Sequence, residues 1–188
     1  SFSVGRNFYA LRSRTDFGSK TLGYMLTHVD DSFNNISATV NVIDYVNIKS
    51  DQLTYFTDLL FSKKDNDSRF GYRSQFNYQP SNFSYVSGSI LYFDENFQLN
   101  DFGYLRRADW IHIGLGGGLK QIDFSKDSPI NQIDMGVDFN YDSDTNGNSN
   151  PISIDQKNEI TFKDTSKLKF DFGVKTSGKN TTITRKNP

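Results

Sequence analysis

The 188 residues contain no cysteine, so neither a disulfide nor a thiolate metal site can form. Proline occurs four times, histidine and methionine twice each, and tryptophan once. No run approaches the roughly 18 consecutive apolar residues that a membrane-crossing helix needs. The first residues, SFSVGRNF, lack the basic start and apolar run of a signal peptide, and none is expected there. Neither sign of charge dominates: 21 basic against 22 acidic residues leave a net charge of −1, which gives no bulk attraction for nucleic acid. Only 35% of residues are hydrophobic, yet 15% are aromatic, with 17 Phe and 10 Tyr. Disordered chains are poor in aromatics, and this excess suits pleated strands separated by polar turns.

Alternation recurs along the whole chain. NQIDMGVDFNY (131–141) places Ile133, Met135, Val137, Phe139 and Tyr141 against Gln132, Asp134, Gly136, Asp138 and Asn140. RFGYRSQFNY places Phe70, Tyr72, Phe76 and Tyr78 against Arg69, Gly71, Arg73, Gln75 and Asn77. KLKFDFGVK and DWIHIGLGGGL repeat the pattern, and QLTYFTDLLF follows it except at Phe56 and Leu60. Weaker alternation lies near 5–14, 21–29, 36–45, 83–93 and 152–162. This predicts about ten strands of about ten residues, without a helical period. Strands of about 9–11 residues match a tilted membrane barrel better than the soluble average of about 5–6. Numbered in order, the links 15–20, 46–51, 79–82, 123–130 and 163–166 fall at one end, and 30–35, 63–68, 94–108 and 142–151 at the other. In a barrel the first set would be periplasmic turns and the second outer loops. The polar stripe (Arg69, Arg73, Asp134, Asp138, Lys167, Lys169, Asp171, Lys175) is a solvated sheet face in a soluble protein and a mixed-charge lumen in a barrel.

Chemical motifs are sparse. There is no HExxH, no nucleophile elbow and no Ser/His/Asp spacing. His28 before Asp30 and Asp31 could bind a metal or act as a base but reads rather as an exposed strand end, and His112 lies on the face of Trp110. GLGGG (114–118) is no phosphate loop, because neither a Lys-Ser/Thr pair nor a helix follows; within a strand it marks a bend or a close approach. DSDTNGNSN (142–150) has Asp142, Asp144 and Asn146 in calcium-loop register before Gly147, but Ser153 stands where the closing Glu belongs. It reads as a plain outer loop, with calcium ligation as the alternative. Arg106 and Arg107 follow the acidic stretch DENFQLND and could clamp an acidic ligand, or pair with Asp94, Glu95, Asp101 or Asp109 to fix the loop. The ligand-binding candidates are therefore Asp94, Asp101, Arg106, Arg107, Arg69 and Arg73. No catalytic residue and no cofactor is assigned.

FYALRSRTDFGSKTLGYMLTH (8–28) and SNFSYVSGSILYFDENFQLNDFGYLRRADWIHIGLG (81–116) carry a resemblance. The first is a Leu-Arg strand, a tight Gly turn and a strand ending in a polar loop. The second is an aromatic strand and an acidic loop with Phe97 and Asp101, closing on Gly103, Tyr104, Leu105, Arg106 and Arg107. Over roughly residues 6–176 this resembles the barrel region of a bacterial outer-membrane family of unknown function. In that family the barrel follows a family-nine-like carbohydrate-binding domain. The resemblance implies a single all-β domain over 1–188, an antiparallel up-and-down transmembrane β-barrel segment in the bacterial outer membrane. It also implies a fragment of a larger barrel, an N-terminal carbohydrate-binding domain in the full-length protein, and outer-membrane lipid and carbohydrate as partners. The expected function is carbohydrate-related binding or uptake at the cell surface without catalysis of its own. Two alternatives stay open: a soluble β-sandwich or lectin-like binding module, and a surface hydrolase using loop carboxylates at Asp94, Glu95 and Asp101.

Overall fold

The computed structural model describes residues 6–31, 36–50, 52–97 and 108–178. They form ten strands: β1 (Asn7–Phe17), β2 (Lys20–Asp31), β3 (Ile36–Ser50), β4 (Leu53–Lys64), β5 (Asp67–Ser81), β6 (Ser84–Phe93), β7 (Trp110–Gln121), β8 (Ile130–Ser143), β9 (Ser153–Phe162) and β10 (Lys167–Lys175). No helix occurs among the described residues. All strands pair antiparallel in chain order, β1 through β10, in one sheet. The expected up-and-down order is therefore present. Closure is not: β1 pairs only with β2 and β10 only with β9, and both edge strands are exposed along their whole length.

Local chemistry sets the turns. Gly18 takes φ 61° between β1 and β2, a region a side chain rarely enters. The 63–68 link, expected as a loop, is a two-residue turn in which Asp65 adopts φ 53°, a conformation Asp tolerates better than most residues. Between β9 and β10, Phe162 N–H donates to the Ser166 carbonyl (2.9 Å) and Thr165 N–H to the Phe162 carbonyl (3.0 Å).

Directly opposed residues share a face, so the register sorts every side chain. One face carries Leu22, Tyr45, Leu59, Phe61, Phe76, Tyr78, Ile113, Leu115, Val137, Phe139, Ile154 and Phe172. Its charged residues with described side chains are Lys20, Asp30 and Lys63, all at strand ends. The other face carries the charges predicted for the polar stripe, with Arg12, Asp44, Asp58, Lys120, Asp155, Lys157 and Glu159 besides.

Burial runs opposite to the usual soluble pattern. Val29, Ala38, Val40, Leu60, Phe93, Thr27, Asp31, Asp58 and Ser62 are buried on the charged face, whereas the apolar face buries only the polar Ser143 and Asn158 among its described strand side chains. Leu115, Leu119, Val137, Phe172 and Val174 of the apolar face are 49–69% exposed. Among the described residues no second layer covers either face, because each strand contacts only its sequence neighbours. The sheet thus curls around its charged face, which crowds that face and spreads the apolar one.

The hydrogen-bonded rows are staggered. One row runs Phe17, Lys20, Asn47, Tyr55, Phe76, Gly88, Leu115, Phe139, Ile154 and Val174. It starts beside the β1–β2 turn and ends some eight residues above the β9–β10 turn. That drop is about 26 Å over about 43 Å of sheet width, a strand tilt of roughly 30°. Barrels tilt by about 35–45°.

Candidate functional site: the charged concave face

Ion pairs knit the concave face across strands. Arg12 of β1 reaches Asp44 of β3 (2.8 Å) over Gly23 of β2, where a Cβ would collide with the Asp44 carboxylate. Arg73 pairs with Asp58 directly opposite, its guanidinium 5.3 Å from the centre of the Phe56 ring. Lys157 donates to Asp138 (2.9 Å). Glu159 meets Lys167 (2.5 Å) and Lys169 (2.7 Å) from β10. These cations matter because the register sets Asp134 opposite Glu159 and Asp138 opposite Asp155, and like charges so placed repel.

Towards the short-turn end this face holds an open cleft of about 430 Å³. Tyr85, Lys120, Asp134, Asp138, Lys157 and Glu159 are among the residues that line it. Its volume falls in the range of small-ligand sites. Tyr85 lies over Gly118, where a Cβ would meet its ring, so the ring covers bare backbone and presents its other side to the cleft. Gly114, Gly116 and Gly118 leave a floor without side chains along β7. An exposed ring flanked by carboxylates and ammonium groups can stack on a polyhydroxylated ligand and hydrogen-bond its hydroxyls from both sides.

The long-loop end is filled by side chains. Phe97, from the link after β6, is 2% exposed and packs on Phe93 (ring centroids 5.3 Å). Leu60, Phe93 and Phe97 form a buried cluster with Val42, Leu91, Ala108 and Trp110 against it. Asp94 fixes this fold-over: its carboxylate accepts from the Phe70 N–H (2.8 Å) and the Tyr92 hydroxyl (2.6 Å). Its carbonyl accepts from the Phe97 and Asp109 N–H groups (3.1 Å each).

The sequence candidates separate accordingly. Asp94 is a loop anchor. Arg69, at the long-loop end of β5, pairs with Asp67 (2.9 Å), whereas Arg73 lies mid-sheet with Asp58. Asp101, Arg106 and Arg107 lie outside the described residues. Asp142 accepts from Trp110 Nε1 (2.7 Å) and meets His112 Nδ1 (3.0 Å). Asp144 instead accepts from the N–H groups of Asn146 (3.0 Å) and Asn148 (2.8 Å), a local turn. The three calcium-register residues therefore do not converge. Among the described residues no group of three or more His, Asp or Glu could hold a metal ion. His28 meets Thr39 (2.8 Å) near the long-loop end of the apolar face.

Tyr85, Lys120, Lys157 and Glu159 escaped the sequence reading. Their strands carry serines, glycines and mixed charges whose phase is set only by pairing with neighbours. No family model matches the chain, and neither the curated proteins nor the solved structures provide a match.

Proposed function

We propose that this chain is a wall of a bacterial outer-membrane β-barrel, with lipid against the aromatic-aliphatic face and water inside against the charged face. The observation that carries this reading is the exposure of the apolar face: Leu115, Leu119, Val137, Phe172 and Val174 are 49–69% exposed with no second layer over them among the described residues, while the buried apolar side chains of β2–β4 lie on the opposite face. A water-soluble sheet would need a second layer over the apolar face.

The dimensions support the same reading. The apolar stripes Leu53–Phe61, Ile111–Leu119 and Ile133–Tyr141 each span about eight residue steps, roughly 26 Å along the strand and 23 Å at a 30° tilt. The apolar band of such barrels is about 25 Å tall. Relative to the hydrogen-bonded row, the stripe midpoints on β4 and β10 differ by about five residues, as the turn-derived tilt requires over six strand steps. The stripes thus form one level belt. The long links at 94–109 and 144–152 would face outward, and the tight turns the periplasm.

Carbohydrate passage or retention is the function we assign to the interior, on the strength of the Tyr85 cleft with its paired carboxylates and ammonium groups. The test is heat-modifiability of the full-length gene product from an outer-membrane fraction. Faster migration of the unboiled form is expected on a detergent gel. Unchanged migration, with the protein recovered soluble, overturns the reading in favour of a soluble binding module.

A further inference from the structure

Three polar side chains on neighbouring strands of the concave face stand in catalytic order. Ser89 Oγ of β6 lies 3.3 Å from His112 Nε2 of β7, and His112 Nδ1 lies 3.0 Å from Asp142 Oδ1 of β8. When Nδ1–H donates to Asp142, Nε2 is the acceptor that faces the serine hydroxyl. The Trp110 indole N–H also donates to Asp142 Oδ1 (2.7 Å) and fixes the carboxylate. Gly114 makes the contact possible: a Cβ there would stand 2.7 Å from Ser89 Oγ and 3.0 Å from His112 Nε2.

From this geometry we propose that Ser89, His112 and Asp142 form a hydrolytic triad for carboxylic esters. Leu91, opposite His112, and the Phe93–Trp110 stack beside it offer an apolar seat for an acyl group. Gln75, directly opposite Ser89, is the nearest side-chain amide in that row to steady an oxyanion. Ser89 Oγ attacks the ester carbonyl while its proton passes to His112 Nε2. The tetrahedral adduct collapses, the acyl C–O bond breaks, and the alcohol leaves with that proton. Water then attacks the acyl-serine, giving its proton to His112, and the carboxylic acid departs as Ser89 recovers its hydrogen. Asp142 is a positioning residue that holds the imidazole tautomer. The triad depends on side-chain geometry alone, and does not require that the apolar face meets lipid.

The test is covalent labelling of the full-length gene product with an alkyl fluorophosphonate, mapped by peptide mass, alongside hydrolysis of 4-nitrophenyl butyrate. Far-UV circular dichroism verifies the β-fold of each variant first. One adduct on Ser89 is expected, absent in S89A. Labelling should slow at least ten-fold in H112Q. D142N should lower kcat with little change in KM, and D142E should restore part of it. G114A should slow labelling with all three residues still present. No adduct on Ser89 in the folded chain, or S89A hydrolysing the ester at the parent rate, overturns the proposal. S89A removes a single oxygen, so it decides the matter even if H112Q does not fold.

Discussion

Replacing Leu115 with arginine separates lipid from water at the apolar face. Leu115 is 53% exposed and sits at the middle of the Ile111–Leu119 stripe. In lipid, an arginine at the midplane of a barrel wall costs about 2–4 kcal/mol, falling to about 0–1 near the interface. Leu119 lies four residues on, about 13 Å along the strand and about 11 Å along the membrane normal at a 30° tilt. That is close to half the apolar band, so L119R should cost about 0–1 kcal/mol. N77R enters the opposite face about one residue from the Leu115 row and should cost about as little, since water meets it there. Trp110, the only tryptophan, packs on Phe93 and reports unfolding by its emission. Urea titrations in lipid vesicles should therefore rank L115R far below L119R and N77R. If all three fall within about 0.5 kcal/mol of the parent, the apolar face meets water and the barrel reading is wrong.

Removing Arg73 should destabilise more than removing Asp58, by about 1–3 kcal/mol in urea unfolding, because R73A strands a carboxylate whose side chain is 11% exposed while D58A leaves a half-exposed guanidinium over Phe56. G118V should cost about 1–3 kcal/mol, since its Cβ meets the Tyr85 ring and lies 2.9 Å from the Met135 carbonyl oxygen; Y85A in that background should recover part of it. Thr165 holds φ 70°, poor for a β-branched residue, so T165G should gain about 1 kcal/mol. In the same turn, hydrogen bonds from the Ser166 hydroxyl and N–H hold the Asp164 carboxyl below its ordinary value of 3.8. Its contribution is complete above the unfolded-state pKa and is lost as pH falls through the lower folded-state value. An acid titration of stability should therefore be flatter in D164N than in the parent.

The strands were legible because their alternation is long and aromatic. RFGYRSQFNY announces both faces of β5, and pairing only confirms them. QLTYFTDLLF was ambiguous at Phe56 and Leu60, and the structure shows why. Both point to the charged face, one beneath the Arg73 guanidinium, the other into the Phe93–Phe97 cluster. Their partners come from β5 and from the link after β6, which periodicity within β4 cannot reveal. The Ser89–His112–Asp142 group was hidden for the same reason. Its spacings of 23 and 30 residues follow from the lengths of two hairpins and match no linear motif. The glycines of GLGGG signalled a close approach, and the approaching groups proved to be Tyr85, Ser89 and Asp138.

Because every strand touches only its neighbours in sequence, no contact between strands waits for a distant part of the chain. Assembly can therefore proceed as a zipper, each hairpin templating the next, with loop-closure entropy rising little as the sheet grows. Damage is contained by the same rule: a weakened strand loses two ladders and leaves remote hairpins intact, much as in a linear repeat array. The edge strands β1 and β10 each hold a single ladder, so opening begins at those two edges and reaches the middle of the sheet last.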